Sequence, residues 1–207
     1  MIAIFDMDGT LLDSAKDITI SINAVRRRNH NLDELSEAFV IEAINREKRN
    51  LAELFYGTSI YENADREYFE AHYHEQCVQN VRLYEGIRES LLTLHDRQVR
   101  LSVATNAPTK FAQRMLSSCG VSEAFDFIIG ADSVSKPKPD KEMLERILKG
   151  YGYRAGQKAV MIGDNSKDMQ AAQSAGIEGA FVTWGFSSKG EHHRIWNTPQ
   201  EIVRYFE

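Results

Sequence analysis

The residues best suited to chemistry stand where short apolar runs end. The first run, Ile2 to Phe5, breaks off into Asp6-Met7-Asp8-Gly9-Thr10. Side chains alternate along an extended chain, so Asp6 and Asp8 share one side while Met7 faces the other. Two crowded carboxylates push one pKa up unless a cation shares the site, and acidic oxygens with backbone carbonyls suit hard, octahedral Mg²⁺. Gly9 permits a sharp turn and leaves backbone N–H groups facing an anion. The plainer alternative is that both acids merely end a strand or cap a helix.

Three later runs end in a similar way. Val103-Ala104 leads into Thr105-Asn106, a hydroxyl and an amide just ahead of a helix start. There they could bond a phosphate oxygen, or act as ordinary N-caps. Past the third run comes Ser135-Lys136-Pro137-Lys138-Pro139-Asp140, where prolines hold the backbone extended and aim a lysine with little lost freedom. A solvated lysine in such a connection is equally commonplace. The fourth run ends Ile162-Gly163-Asp164-Asn165-Ser166-Lys167-Asp168. Asp164 is expected at a strand terminus and Asp168 one helical turn later, near enough to serve one cation, although the helix dipole alone also favours Asp168.

Positioning these residues together requires a particular scaffold. Strands are expected at 2–5, 101–104, 127–129, 159–162 and 180–183, and continuous apolar runs of this kind suit strands buried on both faces of a parallel sheet. Helices are expected at 109–119, 141–149 and 166–175, each stopped by a glycine. Strand and helix alternate, which predicts an α/β fold with a doubly wound parallel sheet, its ligands gathered beyond the carboxyl ends of the strands. The stretch 15–82 interrupts the alternation. It has no proline, one glycine (Gly57) and helical spacing such as Ile18, Ile22, Val25, and it reads as an inserted all-helical subdomain. The expected organisation is a core of 1–14 and 83–207 with the insertion at 15–82.

Composition bounds the rest. A chain of 207 residues, 43% hydrophobic and 27% charged, can bury a sizeable core and is neither disordered nor fibrous. Its net charge of −5 argues against general nucleic-acid binding. Cys77 and Cys119 form no Cys-x-x-Cys pair, which suggests thiols in a reducing compartment. No apolar stretch approaches the roughly 20 residues of a membrane span, and the acids at Asp6 and Asp8 break the first run too early for a signal peptide. The expectation is a soluble, cytoplasmic protein, monomeric or homodimeric.

The acids, the Thr-Asn, the lysine and the later acids, in this order at the ends of separate strands, resemble the haloacid dehalogenase superfamily of phosphohydrolases over essentially the whole chain. Its first motif is matched by Asp6-Met7-Asp8-Gly9-Thr10-Leu11 and its second by Thr105-Asn106. The third is matched by Lys136 within Lys136-Pro137-Lys138-Pro139, and the fourth by Gly163-Asp164 with Asp168. The insertion is similar to the mobile helical cap of the subgroup containing phosphoglycolate phosphatase, and Tyr84-Glu85-Gly86 to that subgroup's return into a Rossmann-like core.

The resemblance implies a Mg²⁺-dependent phosphatase acting on a small phosphorylated metabolite, phosphoglycolate-like or a sugar phosphate, through an aspartyl phosphate. Asp6 would be the nucleophile and Asp8 the general acid and base. Asp6, Asp8 (through its carbonyl) and Asp164 would hold the metal, with Asp168 supporting it or orienting Lys136. Thr105, Asn106 and Lys136 would bind the phosphoryl oxygens. Asp8 favours phosphate chemistry over dehalogenation, because an ester has a leaving alcohol to protonate. A phosphomutase of the same superfamily, or a binding or regulatory protein without turnover, are the alternatives. The cap lacks the subgroup's Gly-x-Pro-type turn and carries Asn45-Arg46-Glu47-Lys48-Arg49-Asn50 instead. Arg46, Lys48 and Arg49 could meet a substrate carboxylate or second phosphate, or form a solvated helix face. Arg26-Arg27-Arg28 reads as a helix C-terminus. His72 with His74, and His192 with His193, make poor metal-ligand pairs, and Trp184 reads as packing.

Overall fold

The computed structural model describes residues 1–46, 49–187 and 194–207. The chain divides into two compact units, Met1–Asp13 with Leu83–Glu207, and Ser14–Arg82. Its strands in chain order are β1 (Ile2–Phe5), β2 (Leu12–Asp13), β3 (Arg82–Leu83), β4 (Arg100–Ala104), β5 (Phe127–Ile129), β6 (Ala159–Gly163), β7 (Glu178–Val182) and β8 (Ile195–Trp196). The α-helices are α1 (Ala15–Val25), α2 (Glu37–Asn45), α3 (Leu51–Tyr56), α4 (Asn63–Gln76), α5 (Ile87–Asp96), α6 (Thr109–Ser118), α7 (Glu142–Gly150), α8 (Ser166–Ser174) and α9 (Pro199–Tyr205).

The first unit is a parallel α/β sheet in the order β5-β4-β1-β6-β7-β8. Strand β1 is central and buried throughout. Ile2 and Ile4 pack on one face with Met161, Leu144 and Ile147, whereas Phe5 meets the edge of Phe125 at 6.2 Å between ring centroids. Burial on two faces is why these runs carry no polar alternation. On α7, Met143, Leu144, Ile147 and Leu148 form the buried stripe that holds it to the sheet. From β1 the chain winds outward through β4 to β5, then recrosses to β6 on the other side of β1. The winding direction thus reverses beside β1, and the carboxyl ends of β4, β1 and β6 meet at that switch point.

Expected and observed elements agree to within a few residues at their ends. Beyond them, the structure adds the two-residue strands β2, β3 and β8 and the helices α5 and α9. The start of α9 had a local signal, since Thr198-Pro199-Gln200-Glu201 combines a Thr-x-x-Glu box with proline at the first helical position. Glu201 Oε2 accepts from the Thr198 N–H at 2.9 Å. Among the described residues no helix is long and apolar enough to cross a membrane.

The second unit is helical. Ile22 and Val25 of α1 pack with Val40 and Ala43 of α2 and with Phe55 and Tyr56 of α3. Past α1 the chain takes a wider π turn, Arg26–His30, and stops at Asn31 with φ 51°, a left-handed conformation that asparagine tolerates better than most residues. Arg26 is buried there and donates to the carbonyls of Asp33, at 2.7 Å, and Phe55. Arg27 pairs with exposed Glu34, and Arg28 stacks on Tyr68.

Asp17 is 0% exposed and fastens α1 to the end of α4 and the segment after it. It accepts from Gln76 Nε2 at 2.8 Å, from the Asn80 N–H at 2.9 Å and from Asn80 Nδ2 at 2.6 Å. Asp17→Ala would strand these donors in a buried site and is expected to cost about 1–3 kcal/mol in urea unfolding. A loss below 0.5 kcal/mol would show that solvent replaces the carboxylate.

Candidate active site

Each strand facing the switch point ends in a polar residue. Asp6 directly follows β1, Thr105 follows β4 and Asp164 follows β6. Asp168 lies in the first turn of α8, where its Oδ2 accepts from the Asn165 N–H at 3.1 Å and closes a capping box. One carboxylate oxygen from each of Asp6, Asp164 and Asp168 lies within 4.8 Å of the other two. Gly9 makes the approach of Asp164 feasible: its φ is +79°, and a Cβ there would fall 2.3 Å from Asp164 Oδ2. Asp8 lies two residues along the same segment as Asp6 and bridges to Leu12.

The lysine at this cluster is Lys138 and not Lys136. Lys138 is 4% exposed, with Nζ 2.9 Å from Asp6 Oδ1 and 2.5 Å from Asp168 Oδ1. The Lys136 side chain is exposed, and its backbone N–H donates to Glu142 Oε2 at 2.9 Å. Both lysines precede a proline and so share the same local restriction. What separates them is Asn106, whose Nδ2 donates to the Lys138 carbonyl at 2.9 Å while its Oδ1 accepts from the Lys138 N–H at 3.0 Å. This two-way clamp fixes the backbone that carries the ammonium. The Asn106 side chain, expected to bind phosphoryl oxygen, is engaged with that backbone instead. Thr105 is buried and its Oγ1 accepts from the Ala107 N–H at 3.1 Å, leaving its own proton to donate elsewhere.

The electrostatics follow from burial. Desolvation works against the Lys138 charge, but the Asp168 and Asp6 carboxylates outweigh it and push its pKa up. Burial raises the Asp168 pKa to about 7, with the Asp6 charge adding to the rise and Lys138 opposing it. Asp164 is raised well above the usual carboxylate range, first by burial and then by the Asp6 and Asp168 charges. Three ionised carboxylates against one ammonium would leave two negative charges uncompensated in a largely buried site, and that excess, with burial, is what drives the Asp164 and Asp168 pKa values up. A divalent cation would neutralise that excess, and an all-oxygen donor set suits Mg²⁺, so the residues fit the ion.

The other candidates lie elsewhere in chemistry or in sequence. Arg46, just past α2, pairs with Glu42 of that helix at 2.8 Å, and Arg49 donates to the Arg46 carbonyl at 2.8 Å. His72 meets Ser21 Oγ at 3.0 Å, whereas His74 is exposed beside Glu75, so the two do not converge. Lys48, His192 and His193 lie outside the described residues. Trp184, expected as packing, is half-buried and donates from its indole Nε1 to the Thr10 carbonyl at 3.0 Å.

Comparison with known proteins agrees with this geometry. The family model for haloacid dehalogenase-like hydrolases matches residues 3–182. A phosphoglycolate phosphatase of Colwellia psychrerythraea is 32% identical over 90% of this chain and 85% of its own. An N-acetylmuramic acid 6-phosphate phosphatase of Pseudomonas aeruginosa is 29% identical over 97% of this chain and 92% of its own. Among solved structures, that of a predicted phosphoglycolate phosphatase from Haemophilus somnus superposes with a TM-score of 0.86 at 26% identity, covering 100% of this chain and 97% of the other. With an aspartate ending the central strand, a buried lysine against it and two more acids completing the cluster, the chain belongs to the haloacid dehalogenase-like hydrolase family.

Proposed function

We propose that the protein is a Mg²⁺-dependent phosphatase that hydrolyses a small phosphorylated metabolite through an aspartyl phosphate on Asp6. The observation that carries this reading is the buried ammonium of Lys138 held between Asp6 and Asp168, with Asp164 as a third acid beside them. Phosphoryl transfer needs little from a protein beyond positioning and charge stabilisation, and both are built into this cluster.

A free Asp6 carboxylate oxygen attacks phosphorus, forming an O–P bond as the ester O–P bond breaks. Asp8, two residues along the same segment, gives its proton to the departing alkoxide. It then takes a proton from the water that attacks the aspartyl phosphate, releasing inorganic phosphate and restoring Asp6. Such acid–base help is worth about 10²–10⁴-fold. Lys138 offsets the repulsion between Asp6 and an anionic substrate and binds a phosphoryl oxygen. Thr105 donates its hydroxyl proton to another phosphoryl oxygen, and Asp168 keeps the ammonium in place. Asp6 and Asp164, with the Asp8 carbonyl, would hold Mg²⁺, which when bound supplies charge neutralisation for the nucleophile and the phosphoryl group.

The activities of the relatives support a small phosphate monoester as substrate, and 2-phosphoglycolate and N-acetylmuramic acid 6-phosphate head the panel to be tried. We assign the choice among such substrates to the helical unit Ser14–Arg82, inserted directly after the nucleophile segment. The test is phosphate release from an aryl phosphate and from the panel, with Mg²⁺ and after chelation. Expected are turnover with Mg²⁺, at least a 100-fold loss on chelation, and a phospho-enzyme trapped on Asp6. No turnover of any substrate with Mg²⁺ would sink the reading. Transfer to a second sugar hydroxyl without phosphate release would replace it by a phosphomutase.

A further inference from the structure

We propose that the segment Trp184–Ser187 is a strap that positions Asp164 for its cation, with the Trp184 indole as the anchor. The inference rests on the reading above, in which Asp164 is a cation ligand. It concerns residues that the motifs at the strand ends leave out.

The strap grips one oxygen of Asp164. The N–H groups of Phe186 and Ser187 donate to Oδ2 at 2.7 and 3.2 Å. Gly9 lies close to the same carboxylate, where a Cβ would fall 2.3 Å from Oδ2 and 3.0 Å from Oδ1. Oδ2 is thereby committed, and Oδ1 is the oxygen left for the cation. Fixing a ligand carboxylate through its second oxygen removes rotamer freedom that binding would otherwise have to suppress.

The strap is itself tied down. The Trp184 indole N–H donates to the carbonyl of Thr10, in the loop that follows the nucleophile, at 3.0 Å. Between anchor and grip lies Gly185, packed so tightly that a Cβ would fall 1.9 Å from the Gly9 carbonyl oxygen and 2.6 Å from Asp164 Cβ. One side-chain hydrogen bond and one backbone contact thus couple the ends of β1 and β6, the two strands that deliver Asp6 and Asp164. An indole serving only as filler would not need its N–H on that carbonyl, which gives the hypothesis a clean handle.

Trp184→Phe keeps an aromatic ring and deletes the donor. Divalent-cation affinity is read without turnover, from Mn²⁺ binding by electron paramagnetic resonance and Mg²⁺ competition, alongside the Mg²⁺ dependence of aryl phosphate hydrolysis. The expected result is a dissociation constant raised about 10-fold. Activity should be recovered at saturating Mg²⁺, and the KM for the aryl phosphate should stay within twofold. Gly185→Ala should weaken cation binding further, because the added methyl drives the strap off Gly9. An unchanged cation constant in Trp184→Phe, with the unmodified protein binding Mn²⁺, overturns the strap and leaves the phosphatase reading standing. If the unmodified protein binds no divalent cation, both fall, and turnover without metal would identify that case.

Discussion

Lys138→Met is expected to lower kcat/KM by about 10³-fold, on the scale of losing a stabilising donor in a water-poor site. The same change should cost about 3–5 kcal/mol of stability in urea unfolding, because it leaves Asp6 and Asp168 buried without their shared counter-ion. Methionine keeps roughly the volume of the lysine stem, so the loss isolates the charge from the packing. The companion change, Lys136→Ala, should shift stability by no more than about 0.5 kcal/mol. Lys136 is exposed, and its hydrogen bond to Glu142 is made by the backbone N–H, which alanine retains. Equal losses in the two variants would mean that Lys138 does not serve the reacting phosphoryl group.

Asp6→Asn should abolish turnover, by about 10⁴-fold or more, since the amide cannot form the covalent intermediate. Its effect on stability should have the opposite sign. At an effective dielectric of about 20, the attraction of Asp6 to Lys138 at 2.9 Å is about 6 kcal/mol, whereas its repulsion from each of Asp164 and Asp168 at or within 4.8 Å is at least about 3.5 kcal/mol. At a pH high enough to ionise both neighbours, whose pKa values are raised, two repulsions therefore exceed one attraction by about 1 kcal/mol. Without divalent cations, Asp6→Asn is expected to be more stable than the unmodified protein by roughly that amount, as functional charge clusters often trade stability for activity. Mg²⁺ should reverse the order, because it stabilises most strongly the protein that binds it best. A variant that is inactive and also less stable at every Mg²⁺ concentration would show that the Lys138 pair outweighs the crowding.

Much of the fold was legible because its signals are local. An apolar run buried on two faces looks the same wherever the sheet places it, and a glycine stop after a helical stripe needs no distant partner. Asp6, Asp164 and Asp168 could be picked out because each ends a run or opens a helix, positions that parallel α/β sheets bring to one edge. Helix α9 carried its own capping signal and was readable on the same grounds. The helical nature of 15–82 followed from spacing, but the role of Asp17 did not, since the donors it accepts from lie about sixty residues away.

The amino-acid sequence by itself determined the parallel sheet, the helical insertion, and the acids that end its strands, because alternation, helical periodicity and turn residues act within a few positions along the chain. Tertiary structure alone decided which of two adjacent Lys-Pro pairs supplies the ammonium. Their local preferences are the same, and the choice falls to an asparagine 32 residues away that clamps one backbone and not the other. It likewise joined Trp184 to Thr10 across 174 residues. Contacts of that reach come from packing the sheet edges together, which no local rule can encode.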